Sequence, residues 1–252
     1  MLNAVIRAYR SERVKTLRPR LLVPLLTGTC ALAAVAAATT VVLTRSGTTS
    51  GGPLRPLQTA ASLLCLILMA VAATSVTNEY RHGTWRTLLV RLPSRPALLL
   101  GKVAGLALLA LLVALTTSLT TGTTTWITAG LRRLDTSAWA TGAAWLDCLS
   151  VSVRVLAALT VATVYGAAAG LLMRSAGAAL SVIFTWILVG ESVLTAVAAS
   201  QGWTVSGRLP GSCLTRLASD PHWAPAALSA TAWGALLLTA SIWHLTRTTR
   251  LT

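Results

Sequence analysis

Six stretches of this chain, each about 20 residues or longer and each broken by at most one Asp, Glu, Lys or Arg, decide what it can fold into. They run over residues 21–43, 57–76, 97–127, 149–172, 176–199 and 224–245. At 1.5 Å per helical residue such runs reach across roughly 30 Å of hydrocarbon. In lipid, only helices and closed barrels satisfy every backbone N–H and C=O. A barrel strand needs apolar and polar residues in alternation, and these runs are continuous. Charged residues make up only 11% of the chain, against about 25% in soluble domains. The expected fold is an all-α integral membrane protein with six transmembrane helices, one membrane domain spanning residues 1–252.

The formal net charge is +15, from 21 Lys and Arg against 6 Asp and Glu. That excess need not mean nucleic acid, because the bases flank the apolar runs, where they read anionic lipid and set orientation. On the side of the N-terminus stand 14 bases: six before residue 21, five from Arg81 to Lys102, Arg174, Arg247 and Arg250. The opposite side carries Arg45, Arg55, Arg132, Arg133, Arg208 and Arg216, and Arg154 lies within the fourth run. This asymmetry predicts a multi-pass protein of the cell (plasma) membrane with both termini cytoplasmic, in contact with membrane lipid and not with nucleic acid. Trp126, Trp139, Trp145, Trp203 and Trp223 fall near the outer ends of the runs, as an aromatic belt does.

Residues 1–20 place Leu2, Val5, Ile6 and Tyr9 at helical spacing among six bases, which predicts an amphipathic helix in the inner interface. The apolar core that follows exceeds the roughly 7–15 residues of a secretory signal, so a retained span is expected. Two outer segments are richer than turns. Residues 129–148 carry Trp139 and Trp145 and suggest an interfacial helix, and residues 200–223 mix glycine, proline and apolar residues, suggesting a re-entrant element before the sixth span.

Between the second and third runs lies a polar, basic segment, 77–95. Thr84 can cap a helix that Pro93 must end, with Trp85, Leu88, Leu89 and Leu92 on one face and Arg86 and Arg91 off it. Its residues Glu79-Tyr80-Arg81-His82-Gly83-Thr84, then Leu88-Leu89, Pro93, Ser94-Arg95 and Lys102, resemble the signature of ABC-2 type transporter permeases. Arg174-Ser175, Gly177 to Ala179, Glu191 and Leu209-Pro210-Gly211 resemble later parts of the same family. The resemblance implies an export permease whose coupling helix, around Glu79, Tyr80, Arg81, His82, Gly83, Thr84, Arg86, Arg91 and Arg95, meets a separate ATPase. It also implies two ATPase copies and a second permease subunit, identical or homologous. ATP and Mg would then bind on the partner ATPase, with no cofactor in this chain.

No feature suggests that the chain is itself an enzyme. Gly101-Lys102 lacks the upstream glycine of a phosphate-binding loop, and the three histidines and four cysteines form no metal-ligand spacing. Cys148 and Cys213 fall on the same outer side and allow a disulfide. Glu191 and Arg154 sit at comparable depth inside spans. They form either a charge pair that fixes two helices or a polar feature of the export path. Gly166-x-x-x-Gly170 and Gly101-x-x-x-Gly105 permit close helix approach within one subunit. Thr116, Thr117, Thr120 and Thr121 can bond their own helix or line a cavity. Two other functions fit the apolar architecture: an ion-coupled secondary carrier using Glu191, or a non-transporting immunity or scaffold subunit.

Overall fold

The computed structural model describes residues 9, 12–15, 18–44, 52–82, 95–203, 205 and 207–248, with backbone alone at 95–99 and 245–248. Among the described residues, after a helical stretch at 12–15, come seven helices: α1 (Pro19–Leu43), α2 (Arg55–Arg81), α3 (Arg95–Leu131), α4 (Gly142–Met173), α5 (Ala176–Ser200), α6 (Pro210–Ser219) and α7 (Ala224–Thr248). All except α6 are long and apolar enough to cross a membrane, giving the six expected spans. No strand occurs among the described residues.

The helices extend past the apolar runs. Most consequentially, α2 continues to Arg81, so residues 77–81, expected to open the coupling segment, are the last turn of a span. Residues 83–94, including Gly83, Thr84, Arg86 and Arg91, lie outside the described residues, as do residues 1–8, 10–11 and 16–17 of the expected N-terminal interfacial helix. The separate helix expected within 129–148 is corrected. α3 runs on to Leu131, a single 3₁₀ turn covers Ser137–Ala140, and α4 begins at Gly142. Trp139 is buried there, edge-to-face with Trp126 at 5.3 Å between ring centroids, and does not face lipid.

α2 and α4 form the centre. Leu57, Leu64, Leu68 and Met69 of α2 meet Val151, Val155 and Leu159 of α4, with α3 and α6 against their flanks. Glycine makes this possible. A methyl group on Gly166 would collide with the backbone of Met69, and one on Gly170 would stand 2.7 Å from the Ala73 carbonyl oxygen. The glycine pair therefore packs α4 on α2 inside one subunit. α3 leans on α1, where Arg132 donates to the carbonyls of Val41 and Val42 and satisfies the open C-terminal end of that helix.

The threonines of α3 bond back onto their own helix: Thr116 to Leu112, Thr117 to Val113 and Thr120 to Thr116. Thr121 is buried with its hydroxyl unpartnered. All four cysteines are free, so Cys148 and Cys213 are not bonded to each other.

α5 departs from regular winding. Ala179, Ile183, Ile187 and Glu191 repeat every four residues along its packed side. In a regular α-helix four residues overshoot a full turn by about 40°, so three such steps would swing Glu191 about 120° off the face of Ala179. A π-helical turn over Thr185–Gly190 takes up much of that overshoot and delivers Glu191 to the interior.

Candidate functional site

Two polar constructions stand at opposite ends of the bundle. The first joins the N-terminal segment to the ends of α2 and α3. Lys15 Nζ lies 3.0 Å from Glu12 Oε1 and 2.8 Å from Glu79 Oε1, and Lys102 Nζ lies 3.4 Å from Glu12 Oε2 and 2.9 Å from Glu79 Oε1. Glu12, Glu79 and Lys102 are buried and Lys15 is half-exposed. Two acids and two bases cancel, which is the condition for keeping such charges away from water. Gly105 leaves room for this: a methyl group there would come within 2.9 Å of Glu12 Cβ.

Burial works against the charge on Lys15, but the hydrogen bond and field of Glu79, with Glu12 behind it, hold its ammonium above the ordinary lysine range. A base whose folded value is raised contributes its stabilisation in full below the unfolded value. That contribution is lost only as pH climbs through the folded one. Lys15 thus keeps its charge, and its contribution, throughout the physiological range.

Glu79 is thus buried within this charge cluster. Tyr80 is half-buried, with the Arg174 guanidinium 5.9 Å from its ring centroid. Arg81 and His82 are exposed, and His82 Nδ1 is 2.7 Å from the Asn78 carbonyl oxygen. Arg95 opens α3. The sequence reading did not join Glu12 and Lys102 to Glu79. The available signal was scarcity, because Glu12 and Glu79 are the two acids on a side that carries 14 bases.

The second construction holds α6. Glu191 and Arg154 are both buried, yet among the described residues no ion pair joins them, and the expected pair is corrected. Each serves one end of the short helix. Glu191 accepts from the backbone N–H of Gly211 at 2.5 Å and of Ser212 at 2.8 Å, in the first turn of α6, whose own Leu209 cap offers no side-chain acceptor. Arg154 Nη1 donates to the carbonyl of Asp220, the C-cap, at 2.9 Å. Its remaining nitrogens reach Ser150.

A helix carries about +0.5 charge at its N-terminus and −0.5 at its C-terminus. An acid at the first and a base at the second are both compensated without touching each other. Ten residues span only about 15 Å, too short to cross. α6 instead packs Cys213, Leu214 and Leu217 into the core, where the Tyr165 hydroxyl donates to Ala230 of α7 at 2.8 Å. The segment expected to hold a re-entrant element before the sixth span contains this short helix. A cavity of about 330 Å³ lies between α2, α5 and α6, with Glu191 and Ser212 in its wall.

The family model for ABC-2 family transporter proteins matches residues 9–190. The chain belongs to the ABC-2 transporter family. It is thus a membrane subunit of an ABC transporter, a transport permease in class. No individually curated protein matches the chain. The ABC-2 match contains all four members of the Glu12–Lys15–Glu79–Lys102 lock and Arg154, and stops one residue short of Glu191.

The α6 geometry predicts a mutational pattern. Glu191→Gln removes the charge at the helix N-terminus but keeps one acceptor, which should cost about 1.5–3 kcal/mol, the worth of hydrogen bonds to a charged group. Arg154→Gln should cost a comparable amount. Because the two act at opposite ends of α6, their losses in melting temperature should add. Strong positive coupling in the double variant would restore the direct pair.

Proposed function

We propose that this permease subunit lines an export pathway and is driven by a separate ATPase that docks on residues 77–95. One observation carries the reading: the lock of Glu12, Lys15, Glu79 and Lys102 clamps both flanks of the docking segment, at the end of α2 and the start of α3, onto the N-terminal segment. A push on residues 83–94 then moves α2 and α3 together and is not absorbed by fraying helix ends. Two permease subunits, identical or homologous, would enclose the pathway above two ATPase subunits that supply ATP and Mg. The segment faces the cytoplasm of the cell, as do both termini. Glu191 and the cavity beside it supply the polar part of the path.

The test uses the chain coexpressed with its ATPase, identified by copurification. Arg81 is exposed, and Arg86 lies in the docking segment, so Arg81→Glu/Arg86→Glu should leave the spans folded. Stimulated ATP hydrolysis should fall at least tenfold. Cysteines introduced at Ser137 and Ser94 of the same chain report its orientation to an impermeant thiol reagent, with only Ser137 reached from outside. Full stimulation in the arginine variant would move the docking contact elsewhere. Labelling at Ser94 from outside would invert the topology.

A further inference from the structure

A groove of about 540 Å³ opens where the N-terminal segment meets α1, α2 and α3, a volume within the roughly 300–1,000 Å³ of ligand-sized cavities. Its walls are mixed in a particular way. Leu21 of α1, Val71 of α2, and Leu106 and Leu109 of α3 supply the hydrocarbon, and Arg18 and Arg20 stand at the rim. Both arginines are exposed, and among the described residues neither makes an ion pair or a side-chain hydrogen bond.

Among the described residues no acid pairs with them. Following the chain through its crossings, Asp135, Asp147, Glu191 and Asp220 all lie toward the opposite end of the bundle. Only Glu12 and Glu79 remain at this end, and both are held by Lys15 and Lys102. The third base at the rim, Lys15, is thus already balanced, leaving two uncompensated guanidiniums beside an apolar slot.

Arg18 directly precedes α1, and Leu21 begins its apolar run, so the two guanidiniums sit where headgroups give way to hydrocarbon. A guanidinium fork matches phosphate oxygens in bidentate fashion and tolerates loss of water better than an ammonium. A free anion would use the arginines and leave Leu21 and Val71 uncovered. A neutral lipid would cover the wall and leave the arginines unpaired. An anionic phospholipid satisfies both.

We propose that this groove seats one anionic phospholipid per chain, its phosphate between Arg18 and Arg20 and one acyl chain along Leu21, Val71, Leu106 and Leu109. The lipid bridges α1, α2 and α3 beside the buried lock.

The full chain, purified in mild detergent and exposed to equal phosphatidylglycerol and phosphatidylcholine, provides the test, with retained lipid counted by native mass spectrometry. The wild type should keep one phosphatidylglycerol and discriminate against phosphatidylcholine. Arg18→Gln/Arg20→Gln, at exposed positions, should fold normally by circular dichroism and lose about thirtyfold in that preference. Val71→Trp keeps both arginines but fills the slot, and it too should release the lipid. Equal retention of the two lipids would overturn the proposal, as would an unaltered preference in the arginine variant. Unchanged retention in a folded Val71→Trp variant would reduce the attraction to surface charge alone and sink the seated lipid. Displacement of the phosphatidylglycerol by inorganic phosphate would likewise show an anion pocket with no acyl-chain site.

Discussion

Lys102→Gln should lower the melting temperature by on the order of 10 °C, the largest effect expected of any single charge removal in this chain. The substitution takes from Glu12 and Glu79, both buried, one of the two lysines that they share. Breaking a buried pair by taking one partner has cost about 3–5 kcal/mol in soluble proteins, mostly through the charge left behind. The cause can be separated from lost packing. Adding Glu12→Gln again matches one acid to one lysine, so the double variant should regain a good part of the loss even though a second side chain has changed. Differential scanning fluorimetry in detergent suffices. A double variant less stable than Lys102→Gln would show that the hydrogen bonds matter more than the balance of charge.

Gly166→Leu should prevent the native packing of α2 against α4 altogether. Even the first carbon of a side chain at Gly166 overlaps the Met69 backbone, and a main chain cannot rotate aside as a side-chain tip can. Overpacking in cores costs typically 1–3 kcal/mol and occasionally more. Here the obstacle is the central helix pair, so loss of monodisperse protein on size exclusion is the expected readout. Gly28→Ala is the control: nothing lies within 4 Å of the added methyl group. It should be neutral or stabilising, since alanine is favoured over glycine within a helix by about 1 kcal/mol. Equal behaviour of the two variants would mean that α2 and α4 are not in close backbone contact.

The spans were legible because hydrocarbon length is read directly from uncharged runs, and the sequence also pointed to the close approach at Gly166 and Gly170. Helix ends were less so. Residues 77–81 are polar enough to look like a loop, but Glu79 is neutralised by Lys15 and Lys102, and a polar residue whose charge is cancelled can remain in a helix under cover. Arg154 and Glu191 were recognised as paired demands without their answer. Opposite signs at one depth suggested contact, while a helix placed between them meets both demands through its backbone dipole, which no side-chain pattern displays. The π-helical turn of α5 has a faint trace in the four-residue repeat Ala179, Ile183, Ile187, Glu191, visible only once that repeat is known to share a face.

Because α6 is gripped at Gly211 and Ser212 by one span and at Asp220 by another, it works as a gauge block: it sets how far apart α4 and α5 can stand at that end of the bundle. Its side chains can change widely without altering that spacing, provided the helix forms. Its residue count cannot. One residue more or fewer displaces an end by about 1.5 Å and rotates it by about 100°, so that either Glu191 or Arg154 meets the wrong part of the backbone. The two spans thus take their separation from the number of residues in a segment that neither of them contains.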